Sequence, residues 1–276
     1  MMEDLDFTRP AKSGIYNPAI ARICFEALGS AEDLAKGTPV FLENQQSDKM
    51  YLVLEGDVSL TRGNKAIDIV RPGEIFGEIA AITRQPRSAT AIAKTACRVI
   101  SLETRRFQRA IQKMPEFALM LMNIMIGRLR MTDAILRVNR TLPDWNRPDS
   151  RVFDDDFLSG LARAFRDRDP MFCPLNQVIM KEGEGGVFMY VVLKGRVAIS
   201  IQSSLVERVG PGGLFGEMAL VDQSRRAASA SAITDCSLLA INRNDFLALV
   251  KAKPEFGVAM LKGIAERLRF MTSSQK

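Results

Sequence analysis

The chain repeats itself without a gap, and this limits its fold more than any other feature. Phe76 falls on Phe215, 139 positions on, and the same offset carries Met50-Tyr51 onto Met189-Tyr190, Gly56 onto Gly195 and Pro72 onto Pro211. It also carries Gly77-Glu78 onto Gly216-Glu217, Arg87 onto Arg226, Cys97 onto Cys236 and Pro115-Glu116-Phe117 onto Pro254-Glu255-Phe256. Arg128-Leu129-Arg130 finally meets Arg267-Leu268-Arg269. Solenoid units run to roughly 20–50 residues, so a register this long means two copies of one domain. With 276 residues and 47% hydrophobic content there is material for two cores.

Residues 40–44, 50–56, 57–63 and 66–74, and in the second copy 178–184, 189–195, 196–202 and 205–213, alternate apolar and polar positions between Gly and Pro punctuation, which is the strand signal. One more strand follows each of Cys97 and Cys236 and leads into a helix around Phe107 or Phe246. Pro115 and Pro254 suit the first turn of a longer helix, where a missing amide hydrogen does no harm. The expected fold class is α+β: two tandem antiparallel β-rolls, jelly-roll-like, each flanked by helices. Residues 1–29 are read as an N-terminal extension with a short helix, 30–140 as the first domain, 141–150 as a hinge with two prolines, and 151–276 as the second domain. The helix from Pro115 to Arg140 either packs on its roll or forms an interface that moves; its equivalent stops within a few residues of Met271.

Composition excludes several chemistries. The chain has no histidine, the commonest general base and transition-metal ligand, so a Ser/His/Asp or Cys/His hydrolase is ruled out. Cys24, Cys97, Cys173 and Cys236 show no Cys-x-x-Cys spacing, and reduced, buried thiols are expected rather than a metal or redox site. No catalytic residue is assigned and the chain is not read as an enzyme. Asp154-Asp155-Asp156 caps a helix beginning near Phe157. The longest apolar run, Phe117 to Ile126, is about half the ~20 residues that a membrane-spanning helix needs. With no apolar stretch behind a basic start, a cytoplasmic location is expected. The net charge of +6 and pI near 9.3 suit an anionic ligand or a nucleic acid without choosing between them.

The chemistry concentrates in residues 76–93 and 215–232. Each segment joins a strand end (Phe76, Phe215), a glycine (Gly77, Gly216), a carboxylate (Glu78, Glu217), an apolar turn (Ile79-Ala80, Met218-Ala219) and, nine residues after the carboxylate, an arginine (Arg87, Arg226). Glycine lets backbone approach a ligand closely, and a short helix beginning here can turn amide hydrogens toward an anion. A carboxylate beside an anion site is explained by a sugar hydroxyl: Glu accepts its hydrogen bond while Arg neutralises the phosphate. The bland alternative is a buried Glu–Arg pair that satisfies itself.

Both segments resemble the phosphate-binding cassette of the cyclic nucleotide-binding domain family, found in catabolite activator proteins and protein kinase regulatory subunits, and the resemblance covers nearly the whole chain. It implies that Glu78 and Glu217 bind a ribose hydroxyl and Arg87 and Arg226 the cyclic phosphate. Gly77, Ala80, Gly216 and Ala219 would shape the turn, and Ser88, Ala89, Ala227 and Ala228 line the phosphate end. The run from Arg87 to Cys97 is similar to the bacterial activator's, which favours cyclic AMP, with cyclic GMP kept open because Ser88 follows the arginine. Thr132 matches the position from which the activator's helix reaches the adenine, and is assigned to the first copy; the second copy has Met271 there. Trp145 is a candidate to cap the first copy's base or to pack between domains. No cofactor is expected besides this ligand.

The resemblance implies a receptor that regulates an unidentified protein effector through movement of the helices and hinge. A transcription regulator is disfavoured because the second copy stands where a helix-turn-helix would come, so DNA is not an expected partner. A kinase-type regulatory subunit would want a basic inhibitory stretch, and residues 1–30 offer only Arg9 and Arg22 singly. A ligand-free structural or dimerisation module is the remaining alternative, and a homodimer stays open.

Overall fold

The computed structural model describes residues 17–63, 65–138 and 149–273, with side chains described throughout these except at 108, 131–138 and 270–273. Trp145 and most of the expected hinge lie outside the described residues.

The first roll opens with α1 (Pro18–Leu28), where Asn17 accepts a hydrogen bond from the Ala19 amide and Pro18 occupies the first turn. One sheet then holds β1 (Ser30–Leu34), β8 (Cys97–Glu103), β3 (Lys49–Glu55) and β6 (Ile75–Phe76) in that spatial order. The other holds β2 (Pro39–Phe41), β7 (Thr90–Ala93), β4 (Val58–Arg62) and β5 (Lys65–Val70). All these pairings are antiparallel. Alternation places side chains by face: in β7, Ala91 and Ala93 are buried while Thr90 and Ile92 are half-buried. The core between the sheets is Phe41, Tyr51, Val53, Val58, Val70, Phe76, Ala91, Ala93, Cys97 and Val99.

The second roll repeats this plan. It opens with α5 (Asp155–Ala164), capped by Asp154, whose carboxylate accepts from the Phe157 amide at 2.8 Å in keeping with the acidic run. One sheet runs β14 (Leu214–Phe215), β11 (Phe188–Lys194), β16 (Cys236–Asn242), β9 (Met171–Cys173). The other runs β10 (Val178–Met180), β15 (Ser229–Ala232), β12 (Val197–Ile201), β13 (Ser204–Val209). The internal likeness reaches side-chain geometry: Tyr51 stacks on Phe76 and Tyr190 on Phe215, each pair at 5.2 Å and 23°. The expected α+β class and the two antiparallel rolls are thus present. All four cysteines are buried free thiols.

Short helices α2 (Glu78–Thr83) and α6 (Glu217–Asp222) come directly after the edge strands β6 and β14, and α3 (Thr104–Lys113) and α7 (Arg243–Ala252) after β8 and β16. The long helices are α4 (Pro115–Val138) and α8 (Pro254–Ser273), with proline in the first turn of each. The expected strand at 40–44 is shorter than its apolar pattern, because Asn44 turns left-handed at φ 65° and the chain bends after Phe41. Strand β1 carries little strand propensity of its own and forms by pairing along β8, as β9 pairs along β16.

The chain divides into two compact units that do not respect the repeat boundaries. One comprises the described residues up to Leu121 together with Lys251–Arg269; the other comprises Met122–Val250 and the described residues from Phe270 onward. Most of α8 therefore belongs with the first roll, and α4 beyond Leu121 with the second. No helix among the described residues is long and apolar enough to cross a membrane.

Candidate functional site

In each roll the site is built around an arginine that the fold draws inward. Arg87 lies between α2 and β7, and its backbone is pinned on both sides: Arg87 N donates to Gln45 O, and Asn44 N donates to Arg87 O, both at 2.9 Å. Arg226 is pinned in the same way by Glu184 O and Gly183 N, at 2.8 and 2.9 Å. These loops carry left-handed residues, Asn44 and Gly183, at the same repeat position.

Arg87 is 1% exposed. Its Nη1 donates to Gly77 O at 2.7 Å, and its Nη2 to Ser47 Oγ and Lys49 O, both at 2.6 Å. The ring of Phe41 lies 4.0 Å from the guanidinium and that of Tyr51 5.8 Å away. Nε is buried with no hydrogen-bond partner among the described residues. Burial pulls the pKa of Arg87 below the ordinary arginine value, opposed by the charges of Tyr51 and Glu78. Burial also raises the pKa of Tyr51, and Arg87 opposes that shift.

The second roll keeps the arginine but simplifies its surroundings. Arg226 Nη1 donates to Gly216 O at 2.7 Å, and its guanidinium stands 5.9 Å from the Tyr190 ring. Burial lowers its pKa too, opposed by Tyr190 and then Glu217. Phe41 and Ser47 have Met180 and Gly186 at their repeat positions. A Cβ on Gly186 would strike the Arg226 guanidinium, so the glycine is what admits the arginine there.

Gly77 and Gly216 take left-handed conformations, at φ 74° and 78°, which lets each turn its carbonyl to the arginine as α2 or α6 begins. A Cβ on either would sit 2.7 Å from the arginine's Nη1. Glu78 and Glu217 open these helices at 1% exposure each, and Ala80 and Ala219 are buried behind them. Ile79, Met218, Ser88, Ala89 and Ala227 are partly exposed, while Phe76 and Ala228 are buried. Ser88 O accepts from Arg62 Nε at 3.1 Å. The structure therefore gathers Gly77, Glu78 and Arg87, and separately Gly216, Glu217 and Arg226.

The side chain of Thr132 lies outside the described ones. Its backbone belongs to α4 beyond Leu121, in the unit of the second roll, whereas the sequence assigns it to the first copy. Sequence reasoning missed Phe41, Ser47, Tyr51, Gly186 and Tyr190. The two tyrosines are visible as a repeated pair; Ser47 and Gly186 break the repeat, which is the one signal that could have drawn notice to them. No group of three or more His, Cys, Asp or Glu among the described residues could hold a metal ion.

A family profile described as cyclic nucleotide-binding domain matches residues 31–114 and 171–253, one match on each roll. The chain belongs to the cyclic nucleotide-binding domain family. Among curated proteins, a cAMP-dependent protein kinase regulatory subunit of Eremothecium gossypii is 24% identical over 220 residues, covering 79% of this chain and 43% of that protein. A cyclic AMP receptor protein of Thermus thermophilus is 38% identical over 101 residues, covering 35% and 47%. A cyclic nucleotide-gated potassium channel of Rhizobium etli is 37% identical over 110 residues, covering 40% and 30%. The matches thus span less than half the length of these relatives.

Proposed function

We propose that this chain is a receptor for a cyclic mononucleotide, with cyclic AMP favoured over cyclic GMP, and that it takes one ligand in each roll. One observation carries the reading. Twice, a buried arginine is held by the carbonyl of a left-handed glycine, and the residue after that glycine is a buried glutamate. Such a charge pair gains from a ligand that presents an anion and a hydroxyl donor at fixed separation. Arg87 and Arg226 would hold the cyclic phosphate, and Glu78 and Glu217 would accept from the ribose 2′-hydroxyl. Gly77, Ala80, Gly216 and Ala219 would shape the turns. The buried Nε of Arg87 finds no acceptor among the described residues, and leaving such a donor unmet costs about 1–3 kcal/mol.

The receptor would regulate a protein partner, with occupancy shifting α4, α8 and the 141–150 connection. Kinase regulatory subunits and receptor proteins among the relatives support a regulatory rather than a catalytic role. One observation favours a second reading for the first roll: Arg87 already meets three protein acceptors, as a structural strut would.

Calorimetric titration with cyclic AMP and cyclic GMP decides between them. Two binding events are expected in the wild type, and one in each of Arg87→Ala and Arg226→Ala. Absence of heat with either nucleotide overturns the receptor reading; a single site that only Arg226→Ala abolishes makes Arg87 the strut.

A further inference from the structure

Equivalent arginines on the two long helices grip the two cassettes crosswise. In the unit of the second roll, Arg130 of α4 donates through Nε to Asp222 Oδ2 at 2.6 Å. Its Nη2 reaches Asp222 Oδ1 and Arg225 O, each at 3.2 Å. Asp222 ends α6, and its carboxylate also accepts from the Ser224 amide at 3.1 Å and from Ser224 Oγ at 2.7 Å. Arg130 therefore holds both ends of the turn that delivers Arg226. In the unit of the first roll, Arg269 of α8 donates through Nη1 to Pro86 O at 2.7 Å, and Pro86 directly precedes Arg87. Arg130 and Arg269 share one repeat position, and Pro86 and Arg225 share another. The same bond is thus made twice, each time to the roll of the other repeat.

The two cassettes differ at the residue that ends the short helix. Asp222 is 10% exposed and pairs with Arg130 in two-point contact, which is the stronger kind of charge-assisted hydrogen bond. The equivalent of Asp222 in the first copy is Thr83, whose hydroxyl donates to Ile79 O at 2.7 Å and offers no charge to Arg269.

We propose that Arg130 and Arg269 are crossed positioning residues: Arg130 sets the loop that presents Arg226, and Arg269 the loop that presents Arg87. Each cassette is then held by the helix rooted in the other repeat. This rests on the cyclic-nucleotide reading above for its ligand, whereas the grips rest on the hydrogen-bond geometry alone.

The test has two arms on the full chain. In hydrogen exchange without ligand, Arg130→Gln speeds exchange in residues 217–228 and leaves 78–89 as in wild type; Arg269→Gln does the reverse. For binding, cyclic AMP is titrated into chains reduced to one site by Arg87→Ala or Arg226→Ala. Arg130→Gln is expected to weaken the site left by Arg87→Ala roughly three- to tenfold and spare the other, and Arg269→Gln to weaken the site left by Arg226→Ala. Effects confined to the roll of each helix's own repeat, or no change in either cassette, overturn the proposal. Crossed exchange without a crossed affinity change overturns the positioning role, and so does crossed exchange in a chain that binds neither nucleotide, where the receptor reading fails separately. Where Arg87→Ala does not fold, the exchange arm and the Arg226→Ala background still decide.

Discussion

Arg87 Nη2 donates to Ser47 Oγ at 2.6 Å, and the residue at the repeat position of Ser47 in the second roll is Gly186, where any Cβ would strike Arg226. One position thus holds the arginine in the first copy and makes room for it in the second. Gly186→Ala should displace Arg226 and weaken the second site about tenfold while leaving the first site's affinity as it is, read by calorimetry in the full chain. Ser47→Ala removes one charge-assisted bond and leaves Lys49 O, so it should lower stability by about 1–2 kcal/mol, read by urea unfolding.

Glycine substitutions separate backbone strain from collision. Gly37 and Gly77 both have positive φ, 87° and 74°, but a Cβ on Gly37 meets nothing within 4 Å, whereas on Gly77 it lies 2.7 Å from Arg87 Nη1 and 3.1 Å from the Phe41 ring. Gly37→Ala should cost about 1 kcal/mol from conformation alone. Gly77→Ala adds the cost of moving a buried guanidinium and should lower the melting temperature clearly more, with loss of the first site's ligand. Equal shifts for the two variants would mean that the Arg87 cage yields freely.

The repeat, several strands of each copy and the glycine, glutamate and arginine of each cassette were legible in the sequence because each is local or recurs at one offset; the order of strands within each sheet was not, because pairing such as β1 with β8 joins segments far apart in the chain. Gly77 and Arg87 meet because the segment between them forms one short helix and one turn, a distance that sequence reasoning handles well. Arg130 and Arg269 were visible as repeated residues, yet their partners were not, since nothing local shows which roll a helix will join. The cage of Phe41 and Ser47 was hidden for a related reason. These residues sit 46 and 40 positions before Arg87 and break the repeat, and only the pairing of β2 with β7 and the loop bonds at Asn44 and Gln45 bring them to it.

Thiol chemistry should report the packing of α1. Cys24 is buried on α1, its Sγ 3.6 Å from Met114 Sδ, and burial raises its pKa to about 11. The unfolded chain's thiol ionises near 9.0, so between 9 and about 11 the unfolded state alone loses the proton. The stability held below that window is lost as pH rises through it. In native protein at about pH 8, Ellman's reagent should label Cys24 far more slowly than in urea, as expected for a thiol with little thiolate. Cys24→Ala should flatten the alkaline decline in melting temperature; an unchanged decline would assign it to other groups.

Acid should expose the cap of α7. Asn242 and Asp245 bond reciprocally, Asp245 N to Asn242 Oδ1 at 3.0 Å and Asn242 N to Asp245 Oδ2 at 3.3 Å, which is a capping box that holds the start of the helix. Arg168 adds a two-point contact at 2.6 and 2.8 Å and, as the largest cause, holds the Asp245 carboxyl below its ordinary value of 3.8. A lowered folded pKa means stability present above the ordinary value and lost as pH falls through the folded one. Asp245→Ala should cost about 1 kcal/mol near neutral pH through the cap. Asp245→Asn keeps an acceptor without charge, so its deficit against wild type should hold steady down to about pH 4 and close below it, as the wild-type carboxylate gains its proton. Melting temperatures of both variants and wild type, tracked from about pH 7 to about pH 3, check this. A deficit that persists at the acid end would mean that the residue acts through shape rather than charge.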